Sequence, residues 1–162
     1  MKTKIVVVVG IVTLLLIVTV CLARPVQMFD YDKMTAKADL VIIATPVAIK
    51  RLEEKCDLPG VRWNNQPIRV LGLETTFEVS VCFKGKLPAK KKPKVVLHHY
   101  RLENPQLAEV PNAVQLLHLK AGDRSQYLMF LKREKDGRYA PFNGQTDPIY
   151  SVEKLQNMKI GD

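Results

Sequence analysis

The sequence predicts a mainly β protein, a small closed barrel with short helices at both ends and a hydrophobic helix in front of it. Five or six short apolar segments along the 162 residues have the composition or the alternation typical of β-strands. Turn signals separate most of them closely enough for hairpin connections. A small sheet that closes on itself leaves no strand edge exposed, which favours a barrel over an open sheet.

Residues 1–23 have the properties of an export signal. Lys2 and Lys4 form a short basic region, and residues 5–23 follow without a charge. Cleavage after Ala23 would make this segment a signal peptide. Its apolar length also suits an uncleaved signal anchor, which would contact the membrane through residues 5–23. Both alternatives export residues 24–162, so we expect a periplasmic, cell-surface or secreted domain.

A lead-in and a short helix occupy residues 24–38, and the barrel domain spans residues 39–162. Asp30 is positioned to cap the short helix, because its carboxylate can accept a backbone N–H of the first turn. The β-branched run at residues 40–49 indicates a buried strand, in which Pro46 requires a bulge or an edge because proline donates no hydrogen bond.

Residues 53–72 show no periodicity and predict a long loop, in which Trp63 is a candidate binding aromatic. Residues 77–83 alternate with period two, which predicts an inward face. That face consists of Phe77, Val79, Val81 and Phe83.

The second half of the chain predicts further strands joined by turns. They are residues 94–102, a shorter strand at residues 114–119, the strongly apolar residues 127–133, and residues 138–142. Asp136-Gly137 indicates a hairpin turn between the last two strands. A short C-terminal helix is then expected to begin at Asp147-Pro148, with Ile149, Val152 and Leu155 on one side.

The sequence is basic, with 25 Lys and Arg residues against 16 Asp and Glu and a net charge of +9. Six lysines fall in residues 84–94, which we call the lysine loop, and no acidic residue separates them. They are Lys84, Lys86, Lys90, Lys91, Lys92 and Lys94. Such a loop attracts anions, so we expect an anionic cell-surface partner or an unidentified protein partner. The alternative is a solvated hairpin tip that prevents aggregation. Because the domain is exported, we expect no nucleic acid partner.

The cysteines and the histidines each allow a structural and a chemical interpretation. Cys56 and Cys82 would form one disulfide in an oxidising compartment, or remain two unpaired small side chains. No histidine stands at a fixed metal-ligand spacing from another ligand, so we expect neither a metal nor a cofactor. We expect one of His98 and His99 to pack inside the barrel and the other to lie on its surface. A metal-dependent hydrolytic enzyme that uses His98 or His99 with His118 is the alternative function.

The order of three motifs resembles the netrin-like, tissue-inhibitor-of-metalloproteinase-like modules. The motifs are residues 39–44 (DLVIIA), residues 76–85 ending in FKG, and residues 122–131 ending in YLMFL. Residues 139–148 (YAPFNGQTDP) also resemble a stretch in exported bacterial proteins of unassigned role. The resemblance implies an OB-fold-like five-stranded barrel. It does not imply protease inhibition, because Ala23 stands where the inhibitors carry the second cysteine of Cys-x-Cys. We therefore expect an exported, non-catalytic binding domain.

Overall fold

The computed structural model describes residues 30–109 and 113–155, which fold mainly as β-strands. The predicted signal or anchor at residues 1–23 lies outside the described residues, as do residues 24–29 of the lead-in. In the two described ranges, no helix has both the length and the apolar character needed to cross a membrane.

The described ranges contain one α-helix and six strands. In chain order they are α1 (Tyr31–Lys37), β1 (Leu40–Trp63), β2 (Gln66–Lys84), β3 (Lys94–Leu102), β4 (Tyr127–Arg133), β5 (Tyr139–Pro141) and β6 (Val152–Lys154). Two short 3-10 turns, Pro105–Glu109 and Pro148–Tyr150, lie between strands.

Strand pairing closes a ring of five strands. β1 pairs antiparallel with β2 along most of its length, and its first residues, Leu40–Ala44, also pair with β4. β2 pairs with β3, β3 meets β5 in a short parallel contact, and β5 returns to β4. β6 adds to β4 outside this ring order. The predicted mainly β class is therefore confirmed.

Three apolar clusters support this arrangement. The largest joins the long strands and includes an edge-to-face contact between Phe77 and Tyr127, with ring centroids 6.1 Å apart. The second packs Met34 of α1 against Val41 and Phe130. The third lies under the far half of the β1–β2 hairpin and contains Leu58, Ile68, Val70 and Val114.

The local predictions with the strongest signals are confirmed. Asp30 caps α1, and its Oδ1 accepts the backbone N–H of Asp32 at 3.2 Å. The register of β1 against β2 shifts between Pro46 and Ala48, which is the expected bulge. β3 and β4 begin and end at the predicted residues.

The predicted long loop at residues 53–72 is wrong, because these residues form the far half of the β1–β2 hairpin. Asn64 and Asn65 occupy its turn with φ angles of 47° and 61°, as two-residue hairpin turns of type I′ require. Register shifts between Arg51 and Lys55, and again between Asp57 and Arg62, break the period of two along β1. Because these bulges interrupt the alternation of apolar and polar residues, the sequence pattern does not indicate a strand here.

The predicted inward face of residues 77–83 is correct only in its first half. Phe77 and Val79 are buried, whereas Val81 and Phe83 are 42% and 63% exposed. The ladder between β2 and β3 ends at the pair Glu78 and Lys94. The end of β2 therefore projects past β3, and its side chains lose that cover.

The predicted strand at residues 114–119 and the predicted C-terminal helix are both wrong. Residues 113–120 run without strand pairing and are held by Asp147, whose N–H donates to the Gln115 carbonyl at 2.8 Å. Within residues 147–155, only the 3-10 turn Pro148–Tyr150 is helical, and β6 begins two residues later. Val152 pairs with Met129, so the sheet outweighs the local helical spacing.

Candidate functional site

The structure separates the six lysines of the lysine loop into two groups. Lys84 Nζ donates to the carbonyl oxygens of Thr35 and Ala36, at 2.8 Å each, at the C-terminal end of α1. Lys92 Nζ forms an ion pair with Glu78 at 2.8 Å. These two predicted binding residues therefore have structural contacts. Within the described residues, the side chains of the other four lysines form no ion pair: Lys86, Lys90, Lys91 and Lys94.

The two structural lysines should differ in their effect on stability. We expect Lys84→Ala to lower the free energy of unfolding by about 1–2 kcal/mol, since two carbonyl groups at the helix C-terminus lose a charged donor. Lys92→Ala should cost less than about 1 kcal/mol, because its ion pair is largely exposed. Urea denaturation of both variants measures the difference. Equal losses would contradict the capping role of Lys84.

A cavity of about 560 Å³ lies between the lysine loop and the turn that joins β4 to β5. The loop contributes Lys86, Leu87 and Pro88, and β3 contributes Lys94 at its first position. Arg133, the last residue of β4, and Arg138, just before β5, line the opposite side. We call this space the basic cavity.

Backbone geometry holds the lysine loop against β4. Gly85, the second residue of the loop, has a φ of +99°, a conformation that favours glycine, and lies against the backbone of Asp39 and Leu40. The Asp39 carboxylate accepts the backbone N–H of Arg133 at 2.8 Å. Asp39 therefore connects the start of the loop to the end of the strand that carries Arg133.

The charges in the basic cavity are not balanced. Glu74 and Asp136 also line it, and both are bonded to Arg138, at 3.3 Å and 2.7 Å. The backbone N–H of Arg138, with its guanidinium adding to the effect, holds the pKa of Asp136 below its usual value. The lining cations Lys86, Lys94 and Arg133 form no ion pair with any carboxylate in the described part of the chain. The cavity therefore presents an excess of positive charge.

A second cluster of polar side chains surrounds His98, and its contacts join three strands of the fold. His98 is 3% exposed, and its two ring nitrogens face Glu134 at 2.9 Å and Glu54 at 3.1 Å. Tyr100 donates its hydroxyl to the same Glu54 at 2.6 Å, and Gln145 donates to the His98 carbonyl. These contacts connect β3 to β1 and to the end of β4.

His99 points to the other face of β3, as adjacent strand residues must. It is 1% exposed, and its Nε2 lies 2.8 Å from the Thr75 hydroxyl. Burial, with repulsion from neighbouring His98 as the smaller cause, lowers the pKa of His99 to about 4. Because His98 and His99 are both buried, the prediction that one lies on the surface is wrong.

The histidines of the alternative enzyme function are not assembled into a site. His118 is exposed on residues 113–120, and no hydrogen bond joins it to His98 or His99. Among residues 30–109 and 113–155, no group of three or more His, Cys, Asp and Glu side chains could hold a metal ion. The geometry therefore gives the hydrolytic alternative no support.

The candidate disulfide is contradicted by the strand register. Cys56 lies opposite Val70, and Cys82 lies twelve residues further along β2, opposite Ile42. An extended strand rises roughly 3.3 Å per residue, whereas a disulfide requires Cα atoms within about 7 Å. Both thiols are free.

Trp63 lies next to the turn of the β1–β2 hairpin and is 41% exposed. The lysine loop begins at the opposite end of that hairpin, where Lys84 pairs with Val41. Trp63 and the start of the lysine loop therefore lie at opposite ends of the hairpin, and Trp63 does not line the basic cavity.

Arg133 and Arg138 are the site residues that sequence reasoning missed. The sequence contains a signal for them, because both flank the Asp136-Gly137 pair that predicts a hairpin turn. Their approach to the lysine loop depends on the short parallel contact between Leu97 and Tyr139, which no local pattern encodes.

No protein-family model matches the chain, and no curated protein is significantly similar to it.

Proposed function

We propose that this chain is an exported, non-catalytic binding domain that engages an anionic partner at the basic cavity. The observation that carries the proposal is the presence of Lys86, Lys94 and Arg133 around one recess without carboxylate partners in the described ranges. Unpaired cations around a concave site concentrate the field and attract anions.

The shape of the site favours an anionic polymer over a flat membrane surface. The cations line a recess of about 560 Å³, which can receive a single sulfate, phosphate or carboxylate group. Lys90 and Lys91 are exposed on the same loop outside the recess. They extend the positive surface toward neighbouring acidic groups of the same polymer.

The proposal includes the fold type and the location. The five-stranded ring supports an OB-fold-like barrel, and the motif order in residues 36–155 supports a netrin-like module of that type. The uncharged residues 5–23 behind two lysines support export across the cytoplasmic membrane, with or without retention of the anchor.

Retention on immobilised heparin tests the anion site. We expect the double variant Lys86→Gln/Lys94→Gln to bind at least about tenfold more weakly than the unmodified chain at low salt, since each lysine near an anionic surface contributes roughly 1 kcal/mol. The double variant Lys33→Gln/Lys120→Gln removes the same charge at exposed positions outside the cavity. It should retain most of the affinity.

Equal losses in the two double variants would show that heparin responds to net charge alone, which contradicts a defined site. Unchanged retention in Lys86→Gln/Lys94→Gln would also reject the basic cavity. Both variants alter exposed side chains that form no ion pair within the described ranges, so near-native thermal stability is the expected result of the control measurement.

A further inference from the structure

A second cavity, of about 420 Å³, lies between the end of β3 and residues 113–118. It shares no lining residue with the basic cavity. Most of its lining residues are apolar, namely Leu102, Pro105, Ala108, Val114, Leu116 and Leu117, and Gln115 is a neutral polar residue among them. We call it the Arg101 cavity, after the charged residue that lines it.

Arg101 is unusual among the basic residues because part of its guanidinium is buried without compensation. Its Nε is buried and has no hydrogen-bond partner. No ion pair joins Arg101 to a carboxylate within the described ranges. A guanidinium stays protonated in proteins, so it cannot avoid this cost by losing its charge. Buried donors without a partner are rare in native structures and require an explanation.

The imidazole of His118 is a second polar side chain that lines the same cavity. It is exposed, so it lies at the solvent side of the lining, while the apolar residues form the walls. The cavity thus combines apolar walls with a small number of polar groups, and its volume falls within the range of about 300–1,000 Å³ common for small-molecule sites.

We propose that the Arg101 cavity binds a small amphiphilic carboxylate, such as a medium-chain fatty acid. The carboxylate would accept hydrogen bonds from the terminal N–H groups of the half-buried guanidinium, whose planar arrangement matches a carboxylate. It would thereby supply the counter-ion that Arg101 lacks. The alkyl chain would lie against Val114, Leu116 and Leu117. A neutral amphiphile would leave the Arg101 charge without a counter-ion. This inference is independent of the proposed polymer binding, because the two cavities have no lining residue in common.

Calorimetric titration with octanoate, and with octanol as the neutral analogue, tests the inference. We expect octanoate to bind at least tenfold more tightly than octanol. Arg101→Gln removes the charge and should abolish that preference. Arg124→Gln removes an exposed arginine outside the cavity and should leave the preference unchanged. Equal affinity of the unmodified chain for the two ligands, absence of octanoate binding, or a preference for octanoate that survives Arg101→Gln would overturn the proposal.

Ala108→Phe provides a test that does not depend on the stability of the Arg101 variant. Ala108 is exposed in a 3-10 turn and lines the cavity, so a larger side chain there should obstruct it without disturbing the core. We expect octanoate affinity to fall at least tenfold in this variant. Lys86→Gln/Lys94→Gln should leave octanoate binding unchanged. A loss of octanoate binding in that variant would place the carboxylate in the basic cavity and reject the inference.

Discussion

Replacing Gly85 by alanine is expected to lower the free energy of unfolding by at least about 3 kcal/mol. A Cβ at this position would lie 2.7 Å from the Asp39 carbonyl oxygen and 2.8 Å from Leu40 Cδ1. The φ of +99° adds a conformational cost for any residue with a side chain. The backbone of Asp39 cannot move away cheaply, because its N–H donates to the Leu131 carbonyl at 2.9 Å.

Gly122→Ala is the matched control for this experiment. Gly122 has a φ of +74°, but nothing lies within 4 Å of the position that its Cβ would occupy. This substitution should therefore cost only the conformational part, about 1–2 kcal/mol. Urea denaturation of both variants isolates the effect of the close approach. A loss at Gly85 no larger than the loss at Gly122 would contradict the described contact between the lysine loop and β1.

Acidification from pH 6.5 to pH 4 is expected to reduce the free energy of unfolding by about 3 kcal/mol through His99 alone. The pKa of His99 is lowered to about 4 in the folded chain, from an ordinary value of 6.5. The unfolded chain therefore binds this proton at a higher pH than the folded chain does. The stabilisation is complete above pH 6.5 and is lost as the pH falls toward 4.

The carboxyl groups with a lowered pKa affect the free energy of unfolding at lower pH than His99 does. The pKa of Asp123 is lowered to about 2, chiefly by hydrogen bonds from Ser125, and the pKa of Asp136 is also lowered. Carboxyl groups whose pKa is lowered on folding stabilise above their ordinary pKa of 3.8. Their contribution is lost below that value, so the interval from pH 6.5 to pH 4 reports mainly on histidine.

The comparison with His99→Gln isolates the contribution of His99. Glutamine is neutral at every pH in this range and retains a group that can bond to the Thr75 hydroxyl. We expect this variant to be less stable than the unmodified chain at pH 7 but to lose about 3 kcal/mol less between pH 6.5 and pH 4. Denaturant titrations at several pH values measure how the free energy of unfolding of each protein changes with pH. The same pH dependence in both proteins would contradict a lowered pKa of His99.

The sequence by itself determined the elements whose signals are local. α1 begins after the capping Asp30, and β3 and β4 have the predicted bounds, because capping, composition and period two act within one segment. The hairpin beyond residue 50 was missed because bulges interrupt its alternation. Its clearest local signal was Asn64-Asn65, a pair that tolerates positive φ at both turn positions.

The candidate site was predicted only in part. The concentration of lysines in residues 84–94 is visible in the sequence, and the loop does line a cavity. The sequence does not show that Lys84 bonds to the end of α1 or that Lys92 pairs with Glu78. The partner of a lysine depends on how distant segments pack. The disulfide prediction failed for a related reason, since the register of β1 against β2 decides which positions are neighbours.

Only the tertiary structure decided how the ring closes and which charges meet. The pairing of β1 with β4 and the contact of β3 with β5 join segments far apart in the chain. These pairings bring Arg133 and Arg138 to the lysine loop, and residues 114–118 pass the end of β3 and line one cavity together with Arg101. A local pattern records which side chains favour burial or solvent. The contacts between distant segments determine which of them become neighbours, and the two proposed binding sites consist of such neighbours.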